Sequence, residues 1–178
     1  MINMNWKVVN EKYLDYLRLL ESRIPNSNYG PTKYKPFFGV LFERNDFFYI
    51  TQISHAQPRH TGMSEKLDFK KIYDPKGGQL LAVVNLNYMF PISKNDIADL
   101  HYKDIDNFRT FSSGTERSKY ISLLKVELSE INKRALSAPA EKIYEYKYKF
   151  PDNTISQRCF DFKALENHSL KWSPTLEK

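Results

Sequence analysis

The chain has 178 residues, 41% of them apolar and 15% aromatic, which allows one domain with a real core and excludes an intrinsically disordered chain. A net charge of +6, from 27 basic and 21 acidic residues, suggests polyanionic partners, but with no long Lys/Arg tail any basic patch must be assembled by folding. The single cysteine, Cys159, excludes an internal disulfide framework and a cysteine-built zinc site. No apolar run reaches the ~18 residues of a transmembrane helix, and the first residues lack the apolar core of a signal peptide. A cytoplasmic chain with one domain over residues 1–178 and no membrane partner is expected.

Residues 6–9 read as a short strand. Asn10 caps a helix over 11–22, with Tyr13, Leu17, Leu20 and Ile24 at helical spacing. Pro25, Gly30, Pro31 and Pro36 make 25–36 a loop, which carries Tyr29, Lys33, Tyr34 and Lys35. Two apolar runs, 37–43 and 46–53, read as a hairpin turning at Arg44-Asn45. Both are apolar on both faces, so the sheet should be covered on both sides. A polar stretch over 54–66 precedes strands over 67–73 and 80–86, joined by a turn at 75–78. Residues 88–92 hold Pro91 and read as an edge strand. Residues 95–109 are part loop and part short helix. The longest helix starts near 113–115 and buries Tyr120, Leu124, Leu128, Ile131 and Ala135, with Glu127 and Glu130 on its solvated face. Pro139 interrupts, and a separate helix spans 140–149. Residues 151–157 read as loop and 159–162 as a last strand, before a closing helix capped by Asp161. The pattern is α+β, mostly antiparallel strands with segregated helices.

There is no Gly-rich phosphate loop, no paired-histidine metal motif and no carboxylate run suited to two metals. Two of the four histidines fall in one window, Thr51-Gln52-Ile53-Ser54-His55-Ala56-Gln57-Pro58-Arg59-His60, where an apolar strand ends. Cleaving RNA without a metal needs a base for the 2′-hydroxyl, an acid for the leaving 5′-oxygen, and cations for the phosphorane. Histidine titrates near neutrality and suits either proton role. Arg59 suits bidentate phosphate contact, and Ser54 can donate to a phosphate oxygen. Such a run is more often a solvated loop. His101 and His168 lie in polar surroundings and read as surface. The interleaved Tyr144, Tyr146, Lys147, Tyr148 and Lys149 either pack one tyrosine face or grip RNA by charge and stacking. The second option would make the chain a non-catalytic RNA-binding module.

The order of features over almost the whole chain resembles the ToxN/AbiQ/CptN toxins of type III toxin–antitoxin and phage-abortive systems, the divergent TenpN branch among them. The matching pieces are Val-Asn-Glu-Lys-Tyr-Leu-Asp-Tyr-Leu at 9–17, Ser-Arg-Ile-Pro at 22–25 and Lys-Pro-Phe-Phe-Gly-Val-Leu-Phe-Glu at 35–43. Residues 49–60 and Met63 follow, then Asp-Phe-Lys-Lys-Ile at 68–72, Val-Val-Asn-Leu-Asn-Tyr-Met-Phe-Pro at 83–91, and 159–166. The resemblance implies a strongly twisted, mostly antiparallel sheet with packed helices, related to the MazF/Kid toxins. It implies an endoribonuclease that cuts cellular and phage RNA to 2′,3′-cyclic phosphate and 5′-hydroxyl ends, with no metal or cofactor. It also implies inhibition by an antitoxin RNA of pseudoknotted repeat units, closed with the toxin into a ring-like assembly.

Residue by residue, Lys35 matches the active-site lysine before the Pro-Phe-x-Gly strand. Ser54 matches the first hydroxyl position after the second strand. His55 stands where a second serine is usual, and Gln57 where a lysine is usual. His60 matches the closing histidine, with Arg59 beside it. The loop tyrosine is Tyr29 or Tyr34. Lys35, Ser54, His55 and His60 are thus the expected catalytic set. Tyr29, Lys33, Tyr34, Thr51, Gln57 and Arg59 are the expected RNA contacts.

Overall fold

A computed structural model describes residues 3–174; residues 1, 2 and 175–178 of the expected domain lie outside the described residues. The strands form two antiparallel sheets, as the α+β pattern requires. The first holds β1 (Asn5–Val9), β2 (Phe37–Arg44), β3 (Phe47–Thr51), β7 (Phe90–Ser93) and β8 (Ile97–Asp99), in the order β7-β3-β2-β1-β8. The second holds β4 (Ile53–His55), β5 (Phe69–Tyr73) and β6 (Leu80–Asn85), in the order β4-β6-β5. The expected strand over 46–53 is therefore two strands in different sheets, parted at Gln52.

The β2–β3 turn is Asn45-Asp46, one residue later than expected. Both residues have positive φ, 52° and 65°, the twist-matching geometry of a two-residue hairpin. Pro91 sits on β7, at the edge of the first sheet, where a missing N–H does least harm. Gly39 is needed on β2, since a Cβ there would lie 2.7 Å from Ile50 Cγ2.

Helices cover the sheets. Helix α1 (Glu11–Arg18) starts at Asn10, whose side chain accepts from the Lys12 amide. It buries Tyr13, Leu14 and Leu17 but ends before Leu20, which is exposed. Helix α3 (Gly114–Lys133) is capped by Ser113 through the Glu116 amide. Two long-range contacts bind it to β1 and the residue before it: Trp6 Nε1–H donates to the Leu124 carbonyl at 2.9 Å, and Asn132 bonds both polar groups of the Met4 backbone. Its buried face is Leu124, Glu127 and Ile131. Ala135, expected in that stripe, is exposed at a positive φ that ends the helix. Glu127, expected in solvent, is 2% exposed.

Helix α4 (Ser137–Lys149) takes Pro139 into its first turn, where the missing amide costs little. The expected loop over 151–157 contains helix α5 (Thr154–Arg158), and the expected strand over 159–162 is a connector into α6 (Phe162–Ser169). Asp161 caps α6 as expected. Asp68, 1% exposed, accepts from Nε and Nη2 of Arg158 at 2.6 and 2.7 Å, tying α5 to the start of β5.

Candidate active site

The site forms where the two sheets meet. Gln52, between β3 and β4, donates its side-chain amide to the carbonyls of Asn26 and Lys35, at 2.9 and 2.8 Å. The Lys35 amide donates to the Ser27 carbonyl at 2.8 Å. The 26–35 loop folds on itself as a small hairpin, bridged at Asn28–Tyr34, with Gly30 at φ 115°. One side chain thus fastens the lysine-bearing loop to the point where β4 leaves the first sheet. The loop's closure also brings the Lys35 ammonium 5.6 Å from the Tyr29 ring centroid.

Strand β4 is an edge strand paired to β6, with Ser54 opposite Val83 and His55 opposite Ala82. Its free edge leaves Ser54 and His55 open to solvent on one side, with the rest of the His55 ring covered. Helix α2 (Pro58–Thr61) follows, with Pro58 at its first position, where proline's fixed φ suits a helix start. His60, 6% exposed, caps it: Nδ1 accepts the Gln57 amide at 2.9 Å. That bond makes Nδ1 the acceptor, so a neutral His60 carries its proton on Nε2. The longer 3.4 Å approach of Arg59 Nε to Nε2 is a packing contact, because two N–H groups cannot bond each other.

Lys35, Ser54, His55, Gln57, Arg59 and His60, with Pro58 and Asn85, line one open pocket of about 650 Å³. Among the described residues, two cations border it and no carboxylate does, a composition suited to a phosphodiester. Partial burial and then the neighbouring Lys35 ammonium lower the His55 pKa, so this imidazole is neutral at pH 7 and can accept a proton.

The remaining expected RNA contacts divide. Tyr29 is 48% exposed, and it and Lys33 border an adjoining groove. Tyr34 is 5% exposed and stacks on Phe108 at 5.1 Å, so it is a wall of that groove and not a surface ring. Thr51 is buried on β3 opposite Phe38, away from the pocket lining. His101 is exposed as expected, whereas His168 is half-buried and stacked on Tyr16 at 4.0 Å. Of the tyrosines in 144–149, Tyr144 is buried against Phe162 and Tyr148 donates to Asp161, so that stretch serves packing. Sequence reasoning missed Asn85, which ends β6 beside the Ile53–Val84 pair, and it missed the α3 residues of the groove. Pairing order across sheets carries no short-range signal.

The same architecture occurs among solved structures. A type III toxin–antitoxin structure concerned with selective toxin inhibition by a non-coding RNA pseudoknot matches with a TM-score of 0.73 and 19% identity, over 95% of this chain and 97% of that one. AbiQ, a lactococcal anti-phage endoribonuclease of the type III toxin–antitoxin system, matches with a TM-score of 0.74 and 17% identity, over 95% and 97%. In sequence, endoribonuclease ToxN of Pectobacterium atrosepticum is 26% identical over 110 residues. That match takes in 58% of this chain and spans 63% of the curated relative's length. The family model for toxin ToxN of type III toxin–antitoxin systems matches residues 6–169, and the chain belongs to that family.

Proposed function

We propose that this toxin is an endoribonuclease that cuts single-stranded RNA with its own side chains and no metal. One observation carries the reading: a single pocket joins a neutral imidazole, an ammonium and a guanidinium, with no carboxylate in its lining. His55 takes the proton of the 2′-hydroxyl, whose oxygen attacks the adjacent phosphorus. Lys35 and Arg59 stabilise the phosphorane, and Ser54 donates to a non-bridging oxygen. The P–O5′ bond then breaks, leaving a 2′,3′-cyclic phosphate.

The 5′-oxygen leaves with a proton from the Lys35 ammonium. Arg59 cannot release a proton, and a neutral His60 would have to become an imidazolate. His60 instead holds the 57–60 turn and presents Nε2–H to the phosphate. The antitoxin is a folded RNA whose backbone occupies the same cation-bordered pocket, and toxin and RNA close into a ring-like assembly. The toxin acts in the cytoplasm as a single domain, on cellular and phage RNA.

Incubating the purified chain with single-stranded RNA in EDTA tests the reading. Fragments should carry 2′,3′-cyclic phosphate and 5′-hydroxyl ends, and Lys35→Ala should abolish them while melting like the parent. Fragments with 5′-phosphate ends, or cleavage that EDTA stops, would overturn it.

A further inference from the structure

Beside the reaction pocket, and sharing Lys35 and His55 with it, runs a groove of about 830 Å³ between the 29–35 loop and α3. Its walls differ from those of the pocket: Tyr29, Tyr34, Tyr120 and Leu123 line it, with Arg109 set against them. The Arg109 guanidinium lies 4.4 Å from the Tyr120 ring centroid, and Tyr120 donates its hydroxyl to the Tyr34 carbonyl at 2.8 Å. An inner recess of about 30 Å³ opens among Tyr34, Tyr120, Leu124 and Glu127. That is room enough for a water or a small polar group.

Among the described residues, three buried side-chain polar atoms lack a hydrogen-bond partner: the Tyr34 hydroxyl, Arg109 Nε and Glu127 Oε1. All three belong to residues lining the groove or its recess. An unpaired buried polar atom costs about 1–3 kcal/mol, and three in one place call for a shared explanation. Burial pushes the Glu127 carboxyl up to about 7, so near neutrality it can donate as well as accept.

We infer that this groove holds one unpaired nucleobase of the RNA, that of a nucleotide flanking the scissile phosphate, and that Glu127 and Tyr34 select which base it takes. The inference rests on the cleavage reading for the position of the phosphate. The groove has cations of its own, Lys33, Lys35 and Arg109, but Glu116, Glu127 and its aromatic walls suit it less to a phosphate than the pocket of Lys35 and Arg59. A sugar has no flat apolar face to set against Tyr120 and Leu123. A base has such a face, with donors and acceptors on its edge, and the recess has room for an exocyclic group. Base recognition of this kind pairs the edge with buried groups that are otherwise unpaired, so a mismatched base is penalised.

The test uses the full chain in EDTA and short single-stranded RNAs made uncleavable by a 2′-deoxy nucleotide at the cut. Each of the four bases is placed in turn on either side, and binding is read by fluorescence anisotropy. At one flanking position the best and worst bases should differ by about tenfold or more in Kd. Tyr120→Ala and Glu127→Leu should each bring that ratio within about twofold, while Tyr120→Phe keeps it and Arg59→Ala weakens all four RNAs together. A parent without preference at both positions, or variants of matching melting temperature that keep the preference, would overturn the subsite. A parent that discriminates bases but cuts no RNA would keep the subsite and remove the cleavage reading. One that cuts without discriminating would do the reverse.

Discussion

Two glutamates turn into the interior from helices, and they are treated differently. Glu166 on α6 is 6% exposed and fully engaged: the Tyr49 and Tyr144 hydroxyls donate to one oxygen at 2.6 and 3.1 Å, and Asn45 donates to the other at 2.9 Å. It binds the β2–β3 turn, the sheet and α4 into one network. Glu127 on α3 is 2% exposed, yet its Oε1 meets no donor and burial raises its carboxyl pKa to about 7. Equal burial therefore does not mean equal purpose. One carboxyl group ties a turn, the sheet and a helix together, and the other leaves an oxygen without a donor beside the proposed reaction pocket. Unpaired polar groups of that kind gather where a ligand's own groups complete them.

Replacement of each glutamate would break this contrast if the account were wrong. The largest effect should come from Glu166→Ala, which strands two buried hydroxyls and an amide. It should cost on the order of 3–5 kcal/mol in urea unfolding. A loss as small as that of a surface substitution would mean the network is not structural. Glu127→Gln should act on the pH dependence instead. The folded-state pKa of Glu127 is raised, so the folded chain holds this proton more tightly than the unfolded chain. The stability it contributes is complete below about pH 4.5 and lost as pH rises through 7. The loss should be on the order of 2–3 kcal/mol in the parent and absent from the glutamine variant. Equal slopes in the two proteins would show that burial does not hold the proton on Glu127.

The central hairpin was legible because β2 and β3 are apolar on both faces, although the turn fell one residue later, at the pair able to take positive φ. Strands β4 and β8 have three residues each, too few for a period to register, so Ser54 and His55 read as loop when they are strand. Helix α5 is five residues long and rests on an Asn153 cap and the Asp68–Arg158 pair, both invisible to periodicity. Glu127 was legible and overlooked. Positions 120, 124, 127 and 131 follow a helix stripe as well as 120, 124, 128 and 131 do, and polarity alone assigned the glutamate to solvent. Most of the proposed reaction pocket was legible because Ser54, His55, Gln57, Arg59 and His60 lie close together in the chain, whereas Asn85 does not. The groove beside it was not, since Tyr34 and Tyr120 meet across 86 positions through packing of α3 on the sheet.

If His55 is the neutral base beside Lys35 that we propose, the pH dependence of single-turnover RNA cleavage in EDTA reports it. With its pKa lowered by burial and Lys35, His55 should give a rate that climbs with pH in the acid range and levels off before pH 7. His55→Ala should lose that limb, with a rate lower by about 10²–10⁴. A parent rate that falls as pH rises through this range, or an alanine variant that keeps the parent's rate and profile, would contradict it.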